Sequence, residues 1–330
     1  IYIDHLHYLN GIIYDFFYNK KIKIYSNHYP HSIFLINPKK KYLSYSEYLK
    51  IPYYKKNMSR KSLIKKKINK VFSHSTKFIP YMNETKFLNI DNNILKKIKN
   101  FDCVVYPHSF TDALLIYGYD GFTNSFEWLD FTLNELSKTN KKVLIKSHPN
   151  FYLKNHDIFN WDRKIFKIII KKYSHIKNFL FIQKPVKNFN FKKLIKKDSI
   201  IITRYGTAEI EMSFYNFKII SSYISSFSNK YKISNKWKNK KQYKILLHKN
   251  WKDLKFSKKN DVINLCNELY FNRDYFKKNF YLNILKSEMI KERIINKNEN
   301  HNEMINIFND ITNPNILSKK LFLDIPEFSK

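Results

Sequence analysis

The chain has 330 residues, of which 43% are hydrophobic and 17% aromatic. That is enough apolar material for two packed domains and too much for a mostly disordered chain. Its 61 lysines and arginines against 27 acidic residues give a formal net charge of +34, which favours an anionic partner. No apolar run is long enough for a transmembrane helix, and two cysteines, Cys103 and Cys266, form neither a disulfide framework nor a metal cluster.

Lysine carries nearly all of the positive charge, because arginine occurs only five times. Proteins dedicated to nucleic-acid binding usually present clustered arginine, so this composition disfavours nucleic acid. An acidic membrane face and phosphorylated substrates remain as candidate partners. The sequence opens with Ile1 rather than methionine, and we expect it to be a segment of a longer chain.

The first hundred residues contain few clear elements. Two short apolar runs, 21–26 and Ser32–Ile36, predict strands, and residues 84–98 have the periodicity of a helix.

From residue 101 onward, strands and helices alternate. Strands are predicted at Cys103–Tyr106, 143–145, Phe179–Ile182, 199–203 and 218–221. Helices are predicted at 124–136, 161–173 and 207–215, with a short helical segment at 194–197. Continuous apolar strands separated by helices are typical of a parallel sheet that is covered on both faces. The prediction is therefore an α/β fold with a Rossmann-like domain over 101–260, followed by helices over 261–330.

Open parallel sheets bind ligands beyond the carboxyl ends of their strands, and three loops in that position carry unusual residues. The first contains His108, Asp112 and Asp120, the second Lys146, His148 and Pro149, and the third Gly206 and Thr207, with Glu211 one turn further. Three of the four glycines in the chain, Gly118, Gly121 and Gly206, lie in these loops. In so glycine-poor a chain, we expect each to meet a backbone requirement.

Two of these loops suit a nucleotide. Gly206 and Thr207 open a helix directly after a strand, where amides and a hydroxyl can hold a phosphate; Thr207 as a plain N-cap is the alternative. Glu211 could accept hydrogen bonds from ribose hydroxyls, with Glu209 a lesser candidate, or be a surface residue. His148, next to Pro149, could donate to a phosphate, and Lys146 is a further candidate ligand.

The first loop offers the acid–base chemistry. Transfer of a group to a hydroxyl needs a base that takes the proton from the attacking hydroxyl, and Asp112 and Asp120 are the candidates. Either can instead stabilise a turn, because Asp-Gly at Asp120 is a strong turn signal. His108 could orient Asp112 or contact the substrate. Neither a P-loop nor a dinucleotide fingerprint occurs, and no DxD motif has a fitting context, so we expect no metal.

These motifs together resemble a known family. They are the H-x-x-x-D-A segment at 108–113, Phe122 with Trp128, the K-x-H-P segment at 146–149 and the G-T-x-x-x-E segment at 206–211. Residues 101–222 resemble the nucleotide-binding half of bacterial capsule polysaccharide biosynthesis proteins, which are GT-B glycosyltransferases of the group that includes the capsule β-Kdo transferases. The Asp-Gly and His-Pro pairs are also similar to those of GT-B sialyltransferases, although Tyr119 and Asn216 depart from the usual pattern.

The resemblance implies a GT-B fold of two Rossmann-like domains, with an acceptor-side domain over 1–100. It implies that His148 and Thr207 hold the phosphate of a CMP-activated donor and that Asp112 or Asp120 is the base. The sugar would be Kdo or another acidic sugar, and the acceptor a glycan or a lipid-linked precursor. No cofactor beyond the donor is expected, and the enzyme would be cytoplasmic and peripheral at the inner membrane face.

Two alternatives remain open on the sequence. The same fold could be a CDP-glycerol-type glycerophosphotransferase, which transfers glycerol phosphate in place of a sugar. A non-catalytic basic protein that binds RNA or membrane would explain the charge without any reaction, and an inactive transferase would keep the fold alone.

Overall fold

The computed structural model describes residues 2–3, 24–28, 32–36, 65–66, 68–69, 72–73, 100–111, 119–152, 157–183, 186, 188–192, 195–225 and 231–270. The chain divides into two compact units. One comprises residues 1–41, 50–60 and 267–330, and the other comprises residues 42–49 and 61–266. Much of 1–100 and all of 271–330 lie outside the described residues, so the predicted division into three segments stays a prediction.

The first unit contains a small sheet of three strands. They are β1 (Tyr2–Ile3), β2 (Ile24–His28) and β3 (Ser32–Ile36), in the order β1-β2-β3. β1 is parallel to β2, and β2 is antiparallel to β3. The strand predicted at 21–26 overlaps β2 but is described only from Ile24, and the helix predicted at 84–98 lies outside the described residues.

The second unit is built on a sheet of six strands, all of them parallel. The strands are β4 (Cys103–Tyr106), β5 (Val143–Lys146), β6 (Phe179–Ile182), β7 (Ile200–Thr203), β8 (Lys218–Ser222) and β9 (Asn235–Trp237). Their spatial order is β6-β5-β4-β7-β8-β9, so the strand order reverses between β4 and β7. This is the Rossmann order, whose point of reversal is the usual ligand crevice, and it confirms the predicted α/β fold.

Helices lie along both faces of this sheet. They are α1 (Ser125–Ser137), α2 (Asp157–Tyr173), α3 (Asn188–Phe191), α4 (Thr207–Phe214), α5 (Lys240–His248) and α6 (Lys259–Tyr270), with 3₁₀ turns at Pro149–Tyr152 and Trp251–Asp253. One buried cluster joins the sheet to α1, α2 and α5 through Trp128, Phe166 and Tyr243. A second cluster joins the opposite face to α3 and α4 through Phe191 and Met212.

Helix α1 begins as its sequence predicts. The side chain of the N-cap residue Asn124 accepts a hydrogen bond from the backbone N–H of Glu127 at 2.8 Å, which caps one free amide of the helix. Glu127 Oε2 in turn accepts from the N–H of Thr123, just before the cap, at 2.8 Å. Its apolar face buries Leu129, Leu133 and Leu136. Phe126, which the same pattern places on that face, is 37% exposed, and Trp128 is buried in addition.

Other differences from the sequence prediction are local. Strand β9 and helix α5 were not predicted. The short helical segment expected at 194–197 is wrong for its described residues, because 195–197 are not helical, and α3 comes earlier. Helix α2 begins four residues before the predicted start at Trp161. No helix in the described part of the chain combines the length and apolar character that a bilayer crossing needs.

Candidate functional site

Three loops meet where the strand order of the large sheet reverses. His108 follows β4, His148 follows β5, and Tyr205 with Gly206 follows β7. The ring centroid of His108 lies 4.5 Å from that of Tyr205 and 5.7 Å from that of His148. A Cβ atom added to Gly206 would lie 3.4 Å from Cδ2 of His108. The structure therefore brings together residues from all three loops that the sequence singles out.

Asp162 of α2 holds the loop after β4 in place. Its carboxylate is fully buried and accepts hydrogen bonds from the backbone N–H groups of Phe110 and Thr111, both at 2.9 Å. It also accepts from the hydroxyls of Ser109 and Thr111. Burial raises the pKa of Asp162, although these four hydrogen bonds act in the opposite direction. The carboxylate thereby fixes the backbone next to His108.

Asp162 is not among the site residues predicted from the sequence, although the sequence carries a signal for it. The buried stripe of α2 contains Asp162, Phe166, Ile169 and Tyr173, which have the spacing of one helix face. An acidic residue on such a face must find hydrogen-bond donors, because an unpaired buried charge is costly.

The two histidines lie close enough for the charge of His108 to affect the pKa of His148. Nδ1 of His108 donates to the backbone oxygen of Ser109 at 3.1 Å. Burial lowers the pKa of His148 well below 6.5, and the positive charges of His108 and Lys146 lower it further. An anion placed among these three side chains would reverse that effect, because an opposite charge favours the protonated imidazole. The arrangement suits a phosphate.

The N-terminus of α4 opens at the same edge of the sheet. Gly206 is the N-cap residue, with φ of 118°, and it provides no side-chain hydrogen bond to the helix. Thr207 is the first helical residue and is exposed, so the alternative in which Thr207 itself is the N-cap is wrong. Amides of an uncapped helix N-terminus, together with an exposed hydroxyl, can hold an anion.

Glu211 belongs to a buried polar cluster rather than to the surface. It is 9% exposed, and its Oε2 accepts a hydrogen bond from Nδ2 of Asn188 at 2.9 Å. Burial raises the pKa of Glu211 to about 7, against the opposing effects of Asn188 and Lys146. Burial likewise lowers the pKa of Lys146 to about 8, while the charge of Glu211 raises it.

Two polar atoms next to this cluster lack a hydrogen-bond partner among the described residues. They are the buried hydroxyl of Tyr106 and Oδ1 of Asn188. Nζ of Lys146 lies 5.2 Å from the ring centroid of Tyr106. Buried polar groups are normally paired, so these two atoms mark the surroundings of Glu211 as polar and incompletely paired among the described residues.

Asp120 lies in an ion pair with Arg204, which follows β7. Nη2 of Arg204 donates to Oδ1 of Asp120 at 2.9 Å and Nε donates to Oδ2 at 3.1 Å. The two side chains are 3% and 0% exposed, and Arg204 also donates to the backbone oxygen of Phe122 at 2.8 Å. This geometry connects the loop around Gly121 to the loop that carries Gly206. The base role of Asp120 stays a prediction, and the contacts favour a positioning role instead.

The other predicted residues have different outcomes. Asp112 and Gly118 lie outside the described residues. Pro149 begins the 3₁₀ turn that follows His148. Glu209 is fully buried, and its carboxylate accepts hydrogen bonds from Ser221, Ser225, Ser234 and Lys236. These internal hydrogen bonds occupy its oxygens, which favours a structural role over binding of ribose.

Both described glycines of these loops have backbone angles that other residues rarely adopt, with φ of 102° at Gly121 and 118° at Gly206. At Gly121 close packing also requires a glycine, because an added Cβ would lie 2.5 Å from the backbone nitrogen of Lys240. Among the described residues, no group of three or more histidine, cysteine, aspartate or glutamate side chains is placed to hold a metal ion.

Comparisons with known proteins give one structural neighbour. No family model matches the chain, and no curated protein matches its sequence. Among solved structures, the UDP-GlcNAc 2-epimerase of Methanocaldococcus jannaschii, in complex with UDP-GlcNAc and UDP, is similar at 14% identity and a TM-score of 0.32. The match covers 55% of this chain and 49% of the epimerase chain.

Proposed function

We propose that the chain is a glycosyltransferase that takes a sugar from a nucleotide-activated donor and transfers it to a glycan or a lipid-linked acceptor. One observation carries the proposal. His108, His148 and the uncapped N-terminus of α4 converge at the point where the strand order reverses. That crevice is where open α/β sheets hold nucleotides.

In this proposal, the donor lies across the ends of β4, β5 and β7. The amides at Gly206 and Thr207 bind its phosphate, and His148 donates a proton or a hydrogen bond to the same group. Glu211, held by Asn188 at 2.9 Å, binds the ribose hydroxyls. Each contact uses a side chain or amide that the fold already orients, which reduces the entropy lost on binding.

Asp112 is the base of the proposed reaction. It accepts the proton of the acceptor hydroxyl while the hydroxyl oxygen forms a bond to the anomeric carbon of the donor. The bond from that carbon to the donor phosphate breaks, and the nucleotide leaves with the electron pair. His148 and the amides of α4 stabilise the developing negative charge on the leaving phosphate. His108, whose loop is fixed by Asp162, positions the reacting sugar.

The finer identity of the donor is part of the proposal. We infer a CMP-activated acidic sugar, with Kdo as the first candidate, from the resemblance of residues 101–222 to the capsule β-Kdo transferases. Lys146 is a cation, 2% exposed, near the proposed ribose subsite. We propose no metal in the transfer, because His148, Lys146 and the amides of α4 supply the positive charge.

Release of free nucleotide tests the proposal. Purified protein is incubated with CMP-Kdo, with CMP-sialic acid and with CDP-glycerol, and the nucleotide released is measured with and without Asp112→Asn. Release of CMP from one of the CMP-sugars, lost in Asp112→Asn while CMP binding remains, is the expected result. Turnover of CDP-glycerol alone would assign a glycerophosphotransferase, and no nucleotide binding at all would leave a non-catalytic basic protein.

A further inference from the structure

Helix α2 exposes two large apolar side chains on its outer surface. Trp161 is 61% exposed and Ile168 is 58% exposed. They are seven residues apart, which is two helical turns, so both project from the same side of the helix. Another side of α2 packs Phe166 and Ile169 into the core. Packing among the described residues therefore does not explain the exposed pair.

Lysines lie along one flank of this apolar pair. Lys164, Lys167 and Lys171 are exposed and, at 100° per residue, form a stripe beside Trp161 and Ile168. Nζ of Lys164 lies 4.6 Å from the ring centroid of Trp161. Among the described side chains of α2, the one carboxylate belongs to Asp162, which is fully buried and bound to the loop after β4. The outer face of α2, defined as Trp161, Lys164, Lys167, Ile168 and Lys171, is thus apolar along one edge and positive along the rest.

This combination matches the surface of an anionic bilayer. A tryptophan ring is favoured at the headgroup level, and lysine side chains extend their charged ends to lipid phosphates while their carbon chains cover apolar surface. Each lysine near such a membrane contributes about 1 kcal/mol. A soluble polyanion would attract the lysines but would gain nothing from Ile168. A second copy of the chain would bring together two molecules of net charge +34, which repel each other.

We propose that the outer face of α2 is a docking surface for an anionic phospholipid bilayer. The proposal is independent of the reaction proposed above, because it concerns binding alone. The basic composition predicts an anionic partner but does not say where it binds. The proposal adds the location, the five residues of the outer face of α2. A cytoplasmic location at the inner membrane face stays a prediction.

Sedimentation with vesicles tests the docking surface. Vesicles of phosphatidylcholine alone are compared with vesicles that also contain phosphatidylglycerol. We expect binding to the mixed vesicles only, weakened by added salt, because salt screens exposed charges. Lys164→Gln with Lys171→Gln removes two charges and should weaken binding about thirtyfold, the equivalent of about 2 kcal/mol. Trp161→Ser with Ile168→Ser should also weaken it.

The matched control is Lys241→Gln with Lys249→Gln, which removes the same charge from exposed positions on α5 and just after it. This control should leave binding nearly unchanged. All substituted side chains are exposed, so the variants are expected to fold, and their melting temperatures verify this.

Tryptophan emission provides a second readout. Trp128 and Trp237 are fully buried and Trp251 is partly buried, so a blue shift on vesicle binding that disappears in Trp161→Phe reports Trp161 entering the interface. Equal loss of binding in the α5 control, or equal binding to phosphatidylcholine alone, would overturn the proposal. Binding that heparin abolishes without any change in Trp161 emission would assign a soluble polyanion. A concentration-dependent dimer that buries Trp161 would assign a second copy.

Discussion

Glu211 and Lys146 are two buried ionisable side chains at the proposed site, and each has a pKa near neutral pH. Burial raises the pKa of Glu211 to about 7 and lowers the pKa of Lys146 to about 8. Each group is thus near its midpoint at neutral pH, where a bound ligand can change its charge at small cost. The pair gives the site a pH response that an exposed glutamate and lysine would lack.

This pair predicts a characteristic dependence of stability on pH. Glu211 holds its proton more tightly when folded, so its contribution to stability is lost as the pH rises from 4.5 to about 7. Lys146 holds its proton less tightly when folded, so stability recovers from about pH 8 to 10.5. Glu211→Gln should remove the first effect and stabilise the protein at pH 8 by up to about 3 kcal/mol.

Melting temperatures from pH 4 to 9 check this prediction. The wild type should show a fall between pH 4.5 and 7 that Glu211→Gln reduces. Glu127→Gln, a substitution of a side chain that is 35% exposed, is the control and should leave the fall in place. Identical profiles for wild type and Glu211→Gln would contradict the buried position of Glu211.

His148 predicts that nucleotide binding takes up protons. Burial and the charges of His108 and Lys146 hold the pKa of His148 well below 6.5, and a bound phosphate would raise it. The affinity for CMP should therefore increase as the pH is lowered from 7.5 towards 6. Titration calorimetry in two buffers of different ionisation enthalpy measures the uptake, which His148→Gln should abolish. An affinity independent of pH in the wild type would contradict a protonated His148 in the complex and leave only a neutral N–H donor.

Among the elements, the loops at the carboxyl edge of the sheet are held by partners that are distant in sequence. Arg204 and Asp120 are 84 residues apart and form a buried, two-point ion pair. Removing one member of such a pair leaves a buried charge and costs about 3–5 kcal/mol. Asp120→Asn should therefore lower the melting temperature strongly. Glu127→Gln, which breaks the exposed pair with Lys240, should cost at most about 1 kcal/mol.

The same substitution separates the two roles considered for Asp120. A positioning residue loses stability and turnover together, whereas a base loses turnover alone. If Asp120→Asn melts at the wild-type temperature and is inactive, the ion-pair interpretation is wrong and Asp120, one of the two candidates from the sequence, is the base.

The two described glycines of these loops should respond differently to alanine. Both have positive φ, which strains an alanine by about 1–3 kcal/mol. At Gly121 the new Cβ would also lie 2.5 Å from the backbone of Lys240, so Gly121→Ala should mainly lower the melting temperature. At Gly206 it would lie next to His108 at the proposed phosphate subsite, so Gly206→Ala should weaken CMP binding by at least about tenfold, the equivalent of 1.4 kcal/mol. Equal losses of affinity in both variants would contradict this assignment.

The elements differ in how far the sequence predicts them. Cys103–Tyr106 is a continuous apolar run and was predicted with the bounds it has, because a strand buried on both faces needs no polar residue. Strand β9, Asn235–Trp237, has three residues and lies at the sheet edge, so its sequence carries no such pattern. The short run at 194–197 was misread because four residues are too few to distinguish a helical period.

Some residues of the candidate site were predicted from the sequence and others were not. His108, His148 and Gly206 were predicted to converge because parallel strands place their carboxyl ends at one edge. The residues that hold them, Asp162 and Arg204, were not predicted as positioning residues. Their partners are up to 53 and 84 residues away, and no local pattern encodes such a pairing.

At the scale of the whole molecule, two features concern anions. The strand order β6-β5-β4-β7-β8-β9 locates the proposed nucleotide site, and the chain carries a net charge of +34. The charge attracts any anion from a distance, and its effect decreases with salt. In the proposed function, by contrast, the crevice between β4 and β7 selects one anion over another by shape and hydrogen bonding. A single experiment at fixed ionic strength can therefore separate selective binding from general attraction.

That experiment is a calorimetric titration of CMP, UMP, GMP and AMP into the wild type and into Thr207→Val with His148→Gln, with Lys241→Gln as a surface control. We predict that CMP binds most tightly, that the double variant loses this binding and that the control keeps it. Equal, weak binding of all four nucleotides, unchanged in the double variant, would contradict a nucleotide site at the crevice between β4 and β7.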